Sequence, residues 1–314
     1  MTALRSNTLA TFLVDTRTHV EVALERFLPK PPACPPVLSE AMRYSLMAGG
    51  KRLRPVLVIA AADAIARRTK APTLEFALPA ACAVEFIHTY SLIHDDLPAM
   101  DDDRLRRGRP TLHMVYGEGL AILAGDGLQA EAFALMAREP QTTDPTLLAR
   151  KVAALAAVSM AAGAIGMVGG QAVDLQAAGQ VPGHELSLTG ESLRAMHLQK
   201  TGALITASAV SGAIMGGADT LQVNAVERWA SEIGLAFQIV DDILDVEGDA
   251  AALGKTAGKD AASDKPTYTS VFGLEQARTM AADCVSRAHQ VLVDGELTDS
   301  WLDAIADWVV SRRN

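Results

Sequence analysis

The helical repeat of the apolar residues constrains the fold of this chain more than any other feature. Apolar side chains recur with the 3.6-residue period of an α-helix, whereas the two-residue alternation of a half-buried strand is essentially missing. Proline and glycine residues separate the periodic segments, as expected at helix ends. We therefore predict helices over residues 8–27, 37–47, 73–94, 119–138, 146–163, 191–215, 222–246, 274–293 and 297–310.

These segments are expected to pack into one all-α domain. The 314 residues contain no stretch that resembles a flexible interdomain linker and no internal repeat of fixed period. The simplest architecture is therefore a single large bundle of about ten helices that spans residues 1–314 around one core.

Charge and composition exclude several classes of protein. The formal net charge of −9 argues against a general nucleic-acid binder. The charge-free stretches 152–173 and 201–218 are long enough to cross a membrane, but they consist mainly of alanine and glycine, so we expect no membrane span. The cysteines Cys34, Cys82 and Cys284 are far apart and odd in number, and we find no signal peptide, so a cytoplasmic location is expected.

A first acidic segment, HDDLPAMDDDRLRRGRPT, spans residues 94–111. Pro98 disfavours helical geometry at the residue before it, so the preceding helix should end here. Five aspartates follow within nine positions: Asp95, Asp96, Asp101, Asp102 and Asp103. If they converge in a cleft, their negative charges repel one another, and bound divalent cations would offset this repulsion. A solvated acidic loop is the alternative, whereas the spacing does not fit a calcium-binding helix–loop–helix.

A second acidic segment, FQIVDDILDVEGD, spans residues 237–249. Asp241 and Asp245 lie one helical turn apart, so their carboxylates can share a ligand. One such pair is a weak signal, because many amphipathic helices carry one on the solvated face. Two acidic segments, each followed by basic residues, are far more specific. Magnesium suits them, because it binds one or two carboxylates and completes its shell with water and phosphate oxygens.

Basic residues accompany both acidic segments and indicate a phosphate site, although each one singly is typical of a protein surface. They are Lys51, Arg52 and Arg54 after a pair of glycines, then Arg106, Arg107, Lys200, Lys255, Lys259 and Lys265. Arginine and lysine are the side chains expected around a bound diphosphate. A nucleotide-binding P-loop over residues 248–256 is rejected, since the glycine spacing is one residue too long and no βαβ pattern surrounds it.

Together these motifs resemble the trans-isoprenyl diphosphate synthases, most closely the bacterial farnesyl diphosphate synthases. The motifs are GGKRLRP (49–55), DDLPAMD (95–101) followed by RRG, GGQAVDL (169–175), KTGAL (200–204), FQIVDDILD (237–245), and LGK followed by DKPTY. They occur in order over about residues 40–280 and are highly specific in combination. The resemblance implies a helical bundle around a central cavity. Arg104 departs from the pattern, since many bacterial relatives have a fourth consecutive aspartate there.

The resemblance also implies a role for each matching residue. Two to three Mg²⁺ ions are expected to bind five aspartates: Asp95, Asp96, Asp101, Asp241 and Asp245. The allylic diphosphate is expected to contact Arg106, Lys200, Thr201, Gln238, Lys255 and Lys265. Isopentenyl diphosphate is expected to contact Lys51, Arg54, His88 and Arg107. Family members are usually homodimers, so a homodimer is expected here.

The reaction expected from the resemblance is a prenyl transfer through an allylic carbocation. Preorganised positive charge stabilises the departing diphosphate, and the double bond of isopentenyl diphosphate attacks the cation. Main-chain and hydroxyl oxygens near Thr201, with the amide of Gln238, are expected to stabilise the cation, while Lys200 is expected to bind the departing diphosphate. An interruption of the helix near Gly202 would expose such carbonyl groups.

Product length is expected to depend on Tyr90, which lies five residues before Asp95, about 7.5 Å along a helix. In the family an aromatic residue at this position accompanies C15 products, so (2E,6E)-farnesyl diphosphate is expected. A geranylgeranyl diphosphate synthase is the alternative, and an ordinary core tyrosine is the other interpretation of Tyr90. A terpene cyclase usually has a different second metal motif, and a non-catalytic synthase subunit typically lacks some of these aspartates.

Overall fold

The computed structural model describes residues 8–69, 73–247 and 267–312. The first part contains α1 (Leu9–Phe27), α2 (Pro36–Leu46), α3 (Leu53–Thr69), α4 (Thr73–Asp95), β1 (Leu105–Arg106), β2 (Arg109–Pro110), α5 (Leu112–Tyr116) and α6 (Glu118–Arg138). The second part contains α7 (Pro145–Ala162), α8 (Met167–Ala177), α9 (Gly190–His197), α10 (Ala203–Gly216), α11 (Thr220–Glu247), α12 (Tyr268–Phe272), α13 (Leu274–Asp294) and α14 (Trp301–Ser311). A π-helical segment, Leu198–Gly202, joins α9 to α10. The all-α prediction is confirmed.

The bundle is organised around α10. This helix is apolar on all sides, which is typical of a helix buried within a large domain. It packs against α3, α4, α7 and α11. The backbones of α10 and α3 approach closely at Gly212, where a Cβ atom would lie 2.0 Å from the carbonyl oxygen of Val58. Small residues in α10 therefore let the surrounding helices converge.

Several predicted boundaries differ from the structure. Helix α3 was not predicted, because its run of buried apolar residues has no polar face to reveal a period. The predicted helix 191–215 is helical throughout, but its residues Leu198–Gly202 form a π-helical rather than an α-helical segment. The last helix begins at Trp301 rather than at residue 297. Ser300 caps it, because its side chain accepts a hydrogen bond from the backbone N–H of Leu302. A hairpin of two-residue strands, β1 and β2, was also not predicted.

Three stretches are long and apolar enough to cross a membrane by length and composition: Leu74–Asp95, Glu118–Arg138 and Pro145–Ala177. In the first, 72% of the most apolar window is buried inside the bundle. The third is not one helix, because α7 ends at Ala162 and α8 begins at Met167. The break falls within the charge-free stretch 152–173. The other charge-free stretch, 201–218, contains the buried helix α10.

Candidate active site

The first acidic motif forms a loop that folds back over the C-terminal end of α4. The backbone N–H of Asp101 donates to the carbonyl oxygen of Asp95 at 2.9 Å, and the N–H of Asp103 donates to that of Asp96 at 3.1 Å. Burial raises the pKa of Asp95 to about 6, which the Lys200 charge opposes and the Asp101 charge reinforces. Asp95, Asp101 and Lys200 therefore interact within one site.

Asp96 binds an arginine of the hairpin that follows the motif. Its Oδ1 atom lies 2.6 Å from Nη2 of Arg106 and accepts a hydrogen bond from Nε at 2.7 Å. Asp103 lies 3.6 Å from the same guanidinium. Burial lowers the pKa of Arg106, but the hydrogen bond that it donates to Asp96 and the charges of the nearby aspartates more than offset this effect, so the pKa is raised overall. Asp96 thus orients Arg106, while its role as a metal ligand stays a prediction.

The glycine pair of GGKRLRP forms a cradle for a second hairpin arginine, Arg107. Gly49 and Gly50 both have positive φ angles, 85° and 127°, which glycine adopts most readily. A guanidinium N–H of Arg107 donates to the carbonyl oxygen of Gly49. A Cβ atom at Gly50 would lie 2.6 Å from Cζ of Arg107. The glycines therefore allow the RRG segment to pack directly against GGKRLRP.

Arg52 does not belong to the phosphate site that the sequence suggested. Its side chain is 1% exposed and forms an ion pair with Glu85, which is 2% exposed, at 2.6 Å. A second guanidinium N–H donates to the carbonyl oxygen of Leu46 at 2.7 Å. Glu85 was missed by sequence reasoning, although a single carboxylate in the apolar stretch ACAVEFIHTY was a signal for it. The pair ties the basic loop to α4.

Arg54 and His88 lie together beneath this loop. Desolvation lowers the pKa of Arg54 to about 10, against the attraction of Glu85 and Asp241. The Nε atom of Arg54 is buried and has no hydrogen-bond partner among the described residues. Desolvation and the charges of Arg54 and Arg107 lower the pKa of His88 well below 6.5. This cluster of a neutral imidazole and two guanidiniums, one with an unused donor, fits a diphosphate ligand. The fourth predicted residue, Lys51, has an exposed side chain.

The π-helical segment Leu198–Gly202 carries Lys200 and Thr201. It confirms the predicted interruption of the helix near Gly202, and π segments of this kind occur frequently at functional sites. The Nζ atom of Lys200 lies 2.5 Å from the carboxylate of Asp174 on α8. Lys200 also acts electrostatically on Asp95, so the segment faces the first acidic motif.

The second acidic motif lies in the last turns of α11. Gln238 donates from Nε2 to Asp242 at 3.0 Å, and the buried Asp242 also accepts the backbone N–H of Tyr268 at 2.8 Å. Asp242 therefore anchors α12, while Asp241 and Asp245 lie on the helix face one turn apart. A residue that the sequence did not identify, Arg312, lies 2.8 Å from Asp241.

Arg312 ends the described part of the chain and is held firmly. Its side chain is 1% exposed. The guanidinium donates to the carbonyl oxygen of Phe237 at 2.8 Å and stacks over the Phe237 ring at 3.8 Å. Nothing in its sequence context distinguished it from Arg313, so only the fold identifies it.

The two acidic motifs are connected through basic residues. Arg54 lies within electrostatic range of Asp241 and of Arg107, and Lys200 within range of Asp95. No group of three or more His, Cys, Asp or Glu side chains in the described ranges is close enough to hold a metal by itself. This arrangement fits magnesium, which binds one or two carboxylates and takes its remaining ligands from water and phosphate. Asp95 with Asp101, and Asp241 with Asp245, are the pairs that would hold it.

Tyr90, the residue expected to set product length, is buried on α4 five residues before Asp95. It is 5% exposed, on α4, which packs against α6. Its ring contacts the imidazole of His94 edge to face, with 5.7 Å between the ring centroids. The imidazole of His94 packs directly against Gly125 of α6. A Cβ atom at this glycine would lie 2.1 Å from Nε2 of the histidine, so a larger residue would not fit there.

Two predicted site residues, Lys255 and Lys265, lie outside the described residues, as does the whole segment 254–266. Their predicted contacts with the allylic diphosphate therefore stay predictions. For the other predicted residues the structure shows two groups. Asp95, Asp101, Arg106 and Lys200 form one, and Arg54, His88 and Arg107 form the other.

An all-α bundle that brings acidic motifs and a basic cluster together in this way defines an isoprenoid synthase. The comparisons agree with this class. Residues 35–292 match the polyprenyl synthetase family model, and the chain belongs to that family. It is a short-chain trans-prenyltransferase, as the resemblance implied.

Curated relatives include enzymes of different product length. The chain is 42% identical over 302 residues to the farnesyl diphosphate synthase of Geobacillus stearothermophilus, covering 96% of this chain and 97% of that protein. It is also 42% identical over 306 residues to the geranylgeranyl diphosphate synthase of Cyanophora paradoxa, covering 98% and 97%. Sequence similarity therefore does not decide whether the product has 15 or 20 carbon atoms.

Solved structures show the same fold. An FPP/GFPP synthase from Zymomonas mobilis superposes with a TM-score of 0.80 at 37% identity, covering 96% of this chain and 98% of that one. A geranyltransferase from Helicobacter pylori, solved with magnesium and isoprenyl diphosphate, has a TM-score of 0.81 at 30% identity, covering 99% and 98%.

Proposed function

We propose that this prenyltransferase is a farnesyl diphosphate synthase. It condenses isopentenyl diphosphate with dimethylallyl diphosphate and then with geranyl diphosphate, and it releases (2E,6E)-farnesyl diphosphate. The observation that carries this assignment is Tyr90, an almost fully buried aromatic side chain one and a half turns before Asp95 on α4. A chain that grows from the diphosphate site along α4 meets this ring.

The first step breaks the allylic carbon–oxygen bond, and both bonding electrons leave with the diphosphate. Arg106 and Lys200 are the described cations beside the first acidic motif, and they stabilise the charge that develops on the leaving group. Magnesium, when bound with the diphosphate, adds Lewis-acid stabilisation of the same charge. Two to three ions are proposed, held by Asp95, Asp101, Asp241 and Asp245, with Asp96 alongside.

The carbocation left behind lies next to the π-helical segment. A π turn displaces the usual hydrogen-bond pattern, so carbonyl oxygens near Lys200 and Thr201 are available to face the cation. Gln238 uses an Nε2 N–H to bond Asp242, which leaves its amide oxygen to turn toward the cation. These neutral oxygens stabilise positive charge without acting as nucleophiles.

Carbon–carbon bond formation then uses the second basic cluster. Arg54, His88 and Arg107, with Lys51, hold the diphosphate of isopentenyl diphosphate so that its double bond attacks C1 of the cation. The adduct loses a proton from the carbon next to the diphosphate-bearing carbon, and a new double bond forms. The released diphosphate is the base that takes this proton. The product is five carbons longer than the allylic substrate.

The chain is further proposed to act as one cytoplasmic domain over residues 1–314, without a membrane span and without a nucleic-acid partner. The excess of acidic residues (37) over basic residues (28) supports the absence of a nucleic-acid partner. Burial of most of α4 and the break between α7 and α8 support the absence of a span.

A homodimer is proposed, with the outer faces of α6 and α7 as the contact surface. These faces expose three large apolar side chains, Leu123 (57%), Val152 (67%) and Met160 (58%), which a second copy would cover. A second copy of the chain is the proposed occupant, as the resemblance to homodimeric synthases implies.

Product analysis tests the proposed function directly. The full chain is incubated with isopentenyl diphosphate, an allylic primer (dimethylallyl or geranyl diphosphate) and magnesium chloride, and the dephosphorylated products are separated by chromatography. We expect farnesol as the main product, and no product without isopentenyl diphosphate or after EDTA treatment. Full activity with EDTA would contradict the magnesium assignment.

The same assay separates the alternatives. A C20 alcohol as the main product would identify a geranylgeranyl diphosphate synthase, the activity for which the Cyanophora relative is named. Cyclic hydrocarbons formed from the allylic substrate alone would identify a terpene cyclase. No turnover of any combination would identify a non-catalytic subunit.

A further inference from the structure

The GGQAVDL segment, residues 169–175, contributes no residue to the proposed prenyl transfer. It forms the middle of α8, which packs directly against the π-helical segment. A Cβ atom at Gly170 would lie 2.2 Å from the backbone nitrogen of Lys200 and 2.6 Å from its Cα. Glycine at 170 therefore lets the backbone of α8 contact the backbone of the segment that carries Lys200 and Thr201.

One turn after Gly170, Asp174 points at the same segment. Its side chain is 11% exposed and lies 2.5 Å from the ammonium of Lys200, which is 25% exposed. A flexible four-carbon side chain is thereby held in one direction by a buried carboxylate. An ammonium has three N–H donors, so it can bond Asp174 and a diphosphate oxygen at the same time.

We propose that Asp174 is a positioning residue that holds the Lys200 ammonium toward the allylic diphosphate. Lys200 stands between two carboxylates, since it bonds Asp174 and also acts electrostatically on Asp95 across the site. Asp174 orients the Lys200 side chain through their ion pair and does not itself contact the substrate. The inference rests on the proposed prenyl transfer and adds a residue to it.

The test measures steady-state kinetics of Asp174→Asn with each substrate varied in turn. We expect KM for geranyl diphosphate to rise about tenfold, the size associated with a charged hydrogen bond, while KM for isopentenyl diphosphate changes less than about twofold. Glu232→Gln is the matched control, because it breaks a comparable ion pair, 2.8 Å from Arg287, away from the site. Equal kinetics for the two variants would overturn the proposal.

A double-mutant cycle separates positioning from a general effect on folding. In a Lys200→Gln background, Asp174→Asn should change KM for geranyl diphosphate less than about twofold, because its only target is gone. Additive effects of the two substitutions would overturn the proposal. If Asp174→Asn does not fold, Asp174→Glu replaces it in the cycle, since glutamate keeps the charge but displaces it. Failure of the wild-type chain to join the two substrates would instead refute the proposed function.

Discussion

At the scale of single residues, Tyr90 is the side chain proposed to set the length of the product. Replacing it with alanine removes the ring that is proposed to block the growing chain along α4. We expect Tyr90→Ala to shift the main product from C15 to C20 or longer, measured by chromatography of the dephosphorylated products. Tyr90→Phe is the control, because it keeps the ring and should keep the C15 product. An unchanged product length in Tyr90→Ala would remove the residue from this role.

The buried pair of Arg52 and Glu85 has a structural consequence that can be measured. Glu85→Gln leaves the buried Arg52 guanidinium with a longer contact to the partly exposed Glu21, at 3.9 Å, as its remaining ion pair. Removing one partner of a buried ion pair typically costs about 3–5 kcal/mol of unfolding free energy. Glu25→Gln removes the partner of Arg43 in a pair with 35% and 55% exposed side chains, and should cost less than about 1 kcal/mol. Urea unfolding followed by circular dichroism compares the two. Similar losses would show that burial does not strengthen the first pair.

His197 makes stability depend on pH. Burial lowers the pKa of His197 to about 4, from an ordinary value of 6.5, against the attraction of Asp174. Between these values the unfolded chain binds a proton that the folded chain does not, so stability falls as pH drops from 6.5 toward 4. The loss is about 3 kcal/mol at most. Urea unfolding at several pH values should therefore show a steeper decline for the wild type than for His197→Gln, and parallel curves would refute this.

At the scale of helices, small residues determine how closely the elements approach. The Gly212 contact brings the backbone of α10 against the Val58 carbonyl on α3, and Gly170 does the same between α8 and the π segment. A side chain at either position would separate elements that carry the site. Neither contact could be predicted from the periodicity of apolar residues, because glycine contributes no side chain to that pattern.

Gly212→Ala should therefore be strongly destabilising, although alanine has the higher helix propensity. The added Cβ would have to lie 2.0 Å from a backbone oxygen, so α10 or α3 must shift. We expect the midpoint of thermal unfolding to fall by several degrees, about 4 °C or more, for a loss of 2 kcal/mol or more. In Gly119→Ala on α6 nothing lies within 4 Å of the new Cβ, so its unfolding midpoint should not fall. A tolerated Gly212→Ala would show that the helices relax freely.

At the scale of the whole molecule, the outer faces of α6 and α7 are the proposed contact surface of the homodimer. Leu123→Glu places a charge on this surface, and we expect it to shift the chain from dimer to monomer in light scattering after size-exclusion chromatography. Val22→Glu on α1, where the side chain is 67% exposed, should leave the mass unchanged. A monomeric wild-type chain would contradict the homodimer.

Much of this architecture was predictable. Periodicity identified most long helices within a few residues, because amphipathic helices show their buried face directly. It failed for α3, because residues 55–62 of this helix are all buried and show no alternation between a polar and an apolar face. The motifs also indicated Asp95, Asp101, Asp241 and Lys200 as candidate site residues, and their roles stay predictions. Asp174 lay inside a recognised motif, but no role for it followed from the sequence.

The sequence by itself determined the fold class, the family and the identity of the acidic and basic motifs, because these depend on local periodicity and on residue types at fixed spacing. Only the tertiary structure decided the partners of those residues. Arg52 turned into the core to meet Glu85, Asp174 reached Lys200, and Arg312 reached Asp241 from the far end of the chain. The reason is physical: a buried charge must find an opposite charge or a hydrogen bond nearby in space, and packing sets which groups are near.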